Sequence, residues 1–428
     1  MSFVKQNVNK APIEDTVFAI VKQNVNKAPI EDTVFAIVKK AKEAKAAIGA
    51  EQVVDATIGS LYNEEGNIVA FDSVFTPYNE IAKETKATYA ASFVGNDSFR
   101  KQVYEWIVGG TGSTLVHSVI ATPGGTGAVA ITMQEILDEG ETVILPEIAW
   151  GSYRLMATMD NLKVKTYSLF EGDHFNVESL KEACREVMKT QKKLLLVIND
   201  PCHNPTGYSM SMEEWQEIVA FLNECGKEVP VVLLNDIAYI DFSYDLEHCR
   251  NYIKTFNDFS ENVMAVIAFS CSKALTSYGL RCGAAILLAQ TKEAVRDVEI
   301  VFEKAARATW SNVPNAAMEN FTYVTTTNYD AYMKEKAMYV ELLKKRSDIF
   351  TEEADACGLD YYPYKEGFFV TVRIEDNALR DVFHESLMKQ HIYTVKVNKG
   401  IRVAVCSLSS EKCRGLAKRM KEILDTCK

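Results

Sequence analysis

Between about residue 100 and residue 330 the chain alternates short apolar runs with longer amphipathic stretches. Residues 142–145, 194–198, 231–234, 263–269 and 284–288 are apolar, largely β-branched or aliphatic runs, as expected for strands buried on both faces. The stretches 128–137, 177–190 and 212–225 lie between them and place apolar residues at helical spacing. Strands that alternate with helices predict an α/β fold, a mostly parallel sheet with helices on both faces.

After residue 330 the pattern changes. A long charged helix is expected over 331–350, then shorter strands near 368–374 and 401–405 and a closing helix, an α+β arrangement. No low-complexity linker precedes it, so a packed hinge is expected there. Near the other end, Val34, Ile37, Val38, Ala41 and Ala44 form an apolar helical stripe that Gly49 stops. Residues 4–20 recur unchanged as 21–37. A perfect copy with no drift differs from the imperfect repeats of repeat architectures and reads as a recent duplication or a gene-model artefact. These shifts predict an N-terminal arm (1–37), a large domain (71–330) and a small domain joining 38–70 to 331–428.

Composition narrows the function. A chain of 428 residues is too long for one compact core, and 47% hydrophobic with 25% charged residues is ordinary for a soluble protein. The net charge of −11 argues against nucleic-acid binding and draws attention to arginines as sites for anions. Ten scattered cysteines without C-x-x-C spacing, and no charged-then-apolar leader, predict reduced thiols in a cytoplasmic protein. No apolar run approaches the roughly twenty residues that span a bilayer, so no membrane association is expected. Cys202-His203 has no partner at ligand spacing, so no metal site is expected.

Four motifs lie at expected strand ends, where open α/β sheets place ligands. Pro123-Gly124-Gly125-Thr126-Gly127 opens a helix whose first amides can hold an anion, although bare glycine turns are common. Asn204-Pro205-Thr206-Gly207, whose Asn-Pro bond is a candidate cis peptide, is on its own an ordinary turn. Asp236-Ile237-Ala238-Tyr239 ends a strand with a carboxylate, suited to a protonated pyridine nitrogen or to capping a helix. Ser270-Cys271-Ser272-Lys273 followed by Arg281 is the sharpest. Desolvation at a strand end makes a lysine nucleophilic, and two hydroxyls with an arginine can hold a phosphate.

In this order the motifs resemble those of the class I aminotransferases, the aspartate and aromatic aminotransferase group of fold-type I pyridoxal-phosphate enzymes. The resemblance runs from about Val53 to Arg402. It implies a large domain with a mainly parallel seven-stranded sheet and a small α+β domain. It implies pyridoxal 5'-phosphate as cofactor and Lys273 as its Schiff-base lysine and proton carrier. Gly125, Thr126, Ser270, Ser272 and Arg281 would bind the phosphate, and Tyr89 would reach the phosphate of a partner subunit. Asp236 would pair with the ring nitrogen, Asn204 and Tyr239 with the ring hydroxyl, and Trp150 would stack on the ring. Tyr153 and Asn199 stand where family members often carry histidines. Arg402 would clamp the substrate α-carboxylate by two parallel hydrogen bonds. Arg307 would reach a side-chain carboxylate across a homodimer, with Val313 where a proline is usual. The Gly59 loop (58–66) would close over substrate. The implied reaction moves an amino group from an amino acid, aspartate favoured, to 2-oxoglutarate. An aromatic aminotransferase and a β-lyase on the same scaffold are the alternatives.

Overall fold

The computed structural model describes residues 33–427. The first copy of the repeated segment and most of the second lie outside the described residues, as does the expected arm (1–37) except for residues 33–37, which open the first helix. Helix α1 (Thr33–Ile48) buries Ile37 and Ala41 against Val53 and Tyr393, and Gly49 breaks it at φ 95°.

The central layer is a seven-stranded sheet. In chain order its strands are β1 (Val116–Thr122), β2 (Thr142–Pro146), β3 (Lys163–Tyr167), β4 (Leu194–Asn199), β5 (Val231–Asp236), β6 (Val263–Ser270) and β7 (Gly283–Ala289). Their spatial order is β1-β7-β6-β5-β4-β2-β3, parallel except for β7, which runs antiparallel to both neighbours. The five expected runs are the five interior strands. The two strands not expected are the two edges, where His117 and Ser118 in β1 and Lys163 and Lys165 in β3 interrupt the apolar pattern.

Interior strands are apolar along their expected runs because both faces are covered, and polar residues stand only at their ends. Leu194, Leu196 and Ile198 enter one core cluster and Leu195 and Val197 the other, and Val231 and Leu233 alternate with Val232 and Leu234 in the same way. At roughly 1.5–3 kcal/mol for each such side chain buried, this alternation is the main force holding the sheet. Helices α2 (Gly124–Ile136), α3 (Ser152–Met159), α4 (Val177–Met188), α5 (Met212–Gly226) and α6 (Lys292–Thr309) contribute to the covering layers.

Helix α7 (Tyr329–Cys357) outruns its expected span and ends at Gly358 in the left-handed conformation. A three-stranded antiparallel sheet follows, ordered β8-β10-β9, from β8 (Phe369–Arg373), β9 (Val395–Val397) and β10 (Gly400–Ala404). The short strand Val54–Asp55 pairs in parallel with Ile392–Tyr393, which ties the start of the described chain to its C-terminal region.

One consequence of the register matters most. Thr122 of β1 and Ser270 of β6 both pair with Gly283, Ala268 pairs with Asp236, and Asp236 pairs with Asn199. The carboxyl ends of β1, β4, β5 and β6 therefore lie along one edge. The return from β6 into antiparallel β7 keeps both Lys273 and Arg281 at that edge.

Candidate active site

The edge begins with a group of residues whose chemistry suits an anion. Gly124 follows β1 at φ +73°, and a Cβ there would stand 2.6 Å from Arg281 Nη2, so only glycine admits the guanidinium. A Cβ on Gly125 would lie 3.1 Å from that of Ser270. No side chain caps the start of α2, so its first amides, including those of Gly125 and the exposed Thr126, are left without a side-chain partner. Ser270 Oγ accepts the Ser272 amide at 3.3 Å, and Ser272 Oγ accepts Arg281 Nη1 at 3.0 Å. Arg281 is further fixed by donating to the carbonyls of Tyr278 (2.9 Å) and Pro123 (3.2 Å). All five expected phosphate-site residues thus belong to one cradle, which presents a cation, two hydroxyls and a helix N-terminus.

Lys273 sits in the one-turn helix Cys271–Ala274 directly after β6. Its Nζ stands 5.3 Å from the Tyr239 ring centroid and 5.6 Å from that of Tyr278. Burial pulls its pKa down to about 8 against the attraction of Asp236, and Arg281 and Arg402 act in the same direction as burial. The group is thus a base of near-neutral strength in a dry place. Asp236 ends β5, with Oδ2 accepting the Tyr153 hydroxyl at 2.5 Å and Oδ1 the Ala238 amide at 3.0 Å. Burial outweighs those bonds and Lys273, and raises its pKa. Asn199 does not touch the carboxylate. Its amide donates to the Asp236 carbonyl at 2.7 Å and its Oδ1 accepts the Asn204 amide at 2.7 Å, so it joins two strand ends.

Arg402, on β10, reaches the same edge. It donates to Thr57 O at 2.6 Å and Asn204 Oδ1 at 3.2 Å, and lies 4.3 Å over the Phe369 ring. Its buried Nε has no partner, and no carboxylate pairs with it among the described residues. Burial lowers its pKa, partly offset by Tyr239 and Cys406. The Asn204–Pro205 bond is cis. The Tyr239 hydroxyl is pushed up by burial, while Arg402 and the hydrogen-bonding Asn204 side chain act against that. Gly59 closes this side, where a Cβ would stand 2.8 Å from Phe369 Cζ and 3.6 Å from Tyr239 Oη.

A family model described as aminotransferase class I and II matches residues 51–420. The chain belongs to this family. An aminotransferase from Anaerococcus prevotii DSM 20548 superposes with a TM-score of 0.91 at 33% identity, covering 95% of this chain and 99% of that one. An aromatic-amino-acid aminotransferase of Paracoccus denitrificans is 28% identical over 66% of this chain and 71% of its own length. An aspartate aminotransferase of Salmonella typhi is 26% identical over 61% of this chain and 65% of its own length. Family membership makes the chain a transaminase of a pyridoxal-phosphate-dependent class, and the fold is that of the fold-type I enzymes.

The remaining expected residues of this aminotransferase sit further out. Trp150 is half-buried, edge-on to Tyr153 at 5.4 Å between centroids. Arg307 is exposed on the last turn of α6, bonded to Ser311 Oγ at 2.6 Å and stacked 4.8 Å over Phe93. Tyr89 is 79% exposed. No hydrogen bond or ion pair among the described residues joins Arg307 or Tyr89 to Lys273, Asp236 or Arg402. Two neighbours of Lys273 escaped sequence reasoning. Tyr278 lies five residues after the lysine, and Cys406 is a buried thiol that burial pushes up to about 12. The position of Tyr278 between Lys273 and Arg281 was the available signal.

Proposed function

We propose that the chain transfers an amino group from an amino acid to a 2-oxo acid with pyridoxal phosphate bound at the Lys273 edge, in a ping-pong cycle. The observation that carries this reading is the buried Lys273 amine within the electrostatic reach of Asp236, of Arg281 in the cradle and of buried Arg402, whose Nε has no partner.

The residues suit the cofactor. Gly125, Thr126, Ser270, Ser272 and Arg281 would hold a phosphate dianion. Asp236, buried and bonded only by neutral donors, would keep a pyridine nitrogen protonated, and Asn204 and Tyr239 would bond a ring hydroxyl. Lys273 Nζ would carry the group covalently. When bound, the cofactor supplies an electron-withdrawing ring that accepts the electron pair left at the substrate Cα. Lys273 Nζ would take the α-proton from the substrate and deliver it to the cofactor carbon, work suited to a buried amine whose pKa is lowered to about 8. Arg402 would bind the α-carboxylate through Nε and Nη, Trp150 would stack on the ring, and the Gly59 loop would exclude water.

Aspartate is the favoured donor and 2-oxoglutarate the acceptor, with aromatic donors the second reading, since relatives of both names match. Arg307 would serve a side-chain carboxylate in the neighbouring subunit of a cytoplasmic homodimer, and Tyr89 that subunit's phosphate. Their exposure supports this reading. We also read residues 71–330 as a large domain and 38–70 with 331–428 as a small one, a division supported by the separate three-stranded sheet and the Val54–Ile392 pairing.

Borohydride should fix the cofactor to the peptide containing Lys273, and Lys273→Ala should abolish transfer of the amino group to 2-oxoglutarate. Labelling at another lysine defeats the reading. For the substrate, Arg307→Ala should lower the ratio of kcat/KM for aspartate over phenylalanine by at least about thirtyfold, equivalent to about 2 kcal/mol, the lower end for a lost buried charge pair. An unchanged ratio removes Arg307 from that role.

A further inference from the structure

The segment 57–71 carries Gly59 and is pinned from two sides. On the C-terminal side, fully buried Arg346 donates to Glu64 Oε1 from Nε (2.9 Å) and Nη2 (2.6 Å), and to the Tyr62 carbonyl from Nη1 (2.8 Å). The Tyr62 amide donates to Cys406 O at 2.9 Å. On the lysine side, the Leu61 amide donates to Tyr278 Oη at 3.0 Å and the Phe71 amide to Thr276 Oγ1 at 3.0 Å. Both acceptors belong to the loop between Lys273 and Arg281. The turn itself is closed by Val69 N donating to Leu61 O at 2.8 Å, and the Leu61 side chain is fully buried.

We propose that Tyr278 is a positioning residue for substrate. Its hydroxyl fixes Leu61, and through Leu61 the Gly59 turn, against Lys273. The inference rests on the transaminase reading of this site. Gly59 lies two residues before Leu61 and packs closely on Phe369, whose Cζ would stand 2.8 Å from a Cβ there. The Tyr278 ring is rigid and packed 5.6 Å from Lys273 Nζ. Among the bonds that pin the segment, the one from Leu61 to Tyr278 ties the stretch carrying Gly59 directly to the loop that follows the reacting amine. Burial raises the phenol pKa, so the hydroxyl stays neutral and keeps accepting the amide at working pH. Its own proton has no acceptor among the described residues. Thr276 ties the far end of the segment, ten residues after Leu61, and does not bear on Gly59.

The test is Tyr278→Phe in the holoenzyme, which removes one oxygen and keeps the ring. Amide exchange at Leu61 without substrate should quicken about tenfold, the protection expected from one hydrogen bond. KM for the amino acid should rise about five- to twentyfold, with kcat within about threefold and the cofactor retained. Thr276→Val should speed exchange at Phe71 and leave KM within about twofold. The proposal is overturned if Leu61 exchange or KM is unchanged in Tyr278→Phe, if kcat falls while KM holds, or if Thr276→Val raises KM equally. A wild-type protein that transfers no amino group would defeat the functional reading instead, and the exchange experiment reads Tyr278 independently of it.

Discussion

Asp236 and Asp241 are both buried and sit five residues apart, one ending β5 and the other following it, yet their surroundings push them in opposite directions. Around Asp241, burial is outweighed by Lys336 at 3.1 Å and Arg250 at 2.8 Å, with Trp106 Nε1 at 3.2 Å, and the carboxyl is held below its ordinary range. Asp236 has only the Tyr153 hydroxyl, the Ala238 amide and the more distant Lys273, and burial wins. A buried carboxylate with two cations against it is spent on structure, here tying the exit of β5 to α7. One with neutral donors alone has charge left for a cation that arrives from outside.

The largest test is to make the same change at both. Asp236→Asn keeps the shape and should cost at least about a thousandfold in kcat, about 4 kcal/mol, while the unfolding free energy of the cofactor-free protein moves by about 1 kcal/mol or less. Asp241→Asn leaves Lys336 and Arg250 without their counter-charge and should lower the unfolding free energy by about 3–5 kcal/mol. Denaturant midpoints and single-turnover rates on both variants decide it. If Asp241→Asn spares stability, or Asp236→Asn spares turnover, the contrast is wrong.

The sequence reveals some of this arrangement and hides the rest, for physical reasons. Interior strands are legible because two covered faces demand apolar residues throughout, whereas β1 and β3 carry His117 and Lys163 because an edge faces water. The cradle, Asp236 and Lys273 are legible because each stands in a short motif at the end of a legible strand. Tyr153 and Asn199 drew notice only as departures from a family pattern, and their bonding to Asp236 differs in kind, side chain in one case and main chain in the other. Asp241, Lys336 and Arg250 lie far apart in sequence, and nothing local marks them as neighbours. Tyr278 bonds to a residue 217 positions away, a contact that exists only after the N-terminal segment docks. Arg307 and Tyr89 were singled out by motif, but within this chain Arg307 meets Ser311 and Phe93, and no hydrogen bond among the described residues joins either residue to Lys273, Asp236 or Arg402.

The smallest effect is the pH dependence of stability, where the two aspartates should act with opposite sign. Asp241 has a folded pKa below its unfolded value near 3.9, so its stabilisation is complete above that value and is lost as pH falls through the folded pKa. Asp236 has a folded pKa above the unfolded one, so its buried charge penalises folding at neutral pH, and the penalty is relieved as pH falls through the folded pKa towards 3.9. Each tenfold change in proton affinity between the two states is worth about 1.4 kcal/mol. In the cofactor-free protein, wild type should therefore gain stability relative to Asp236→Asn as pH drops from neutrality to about 4, and Asp241→Asn should lose its disadvantage only below that. Unfolding midpoints of the three proteins across pH 3 to 7 give both slopes. Adding pyridoxal phosphate should abolish the Asp236 slope, because a protonated ring nitrogen would hold that carboxylate ionised as Lys336 and Arg250 hold Asp241. If the slope persists with cofactor bound, Asp236 has no cation against it and the difference between the two aspartates has another origin.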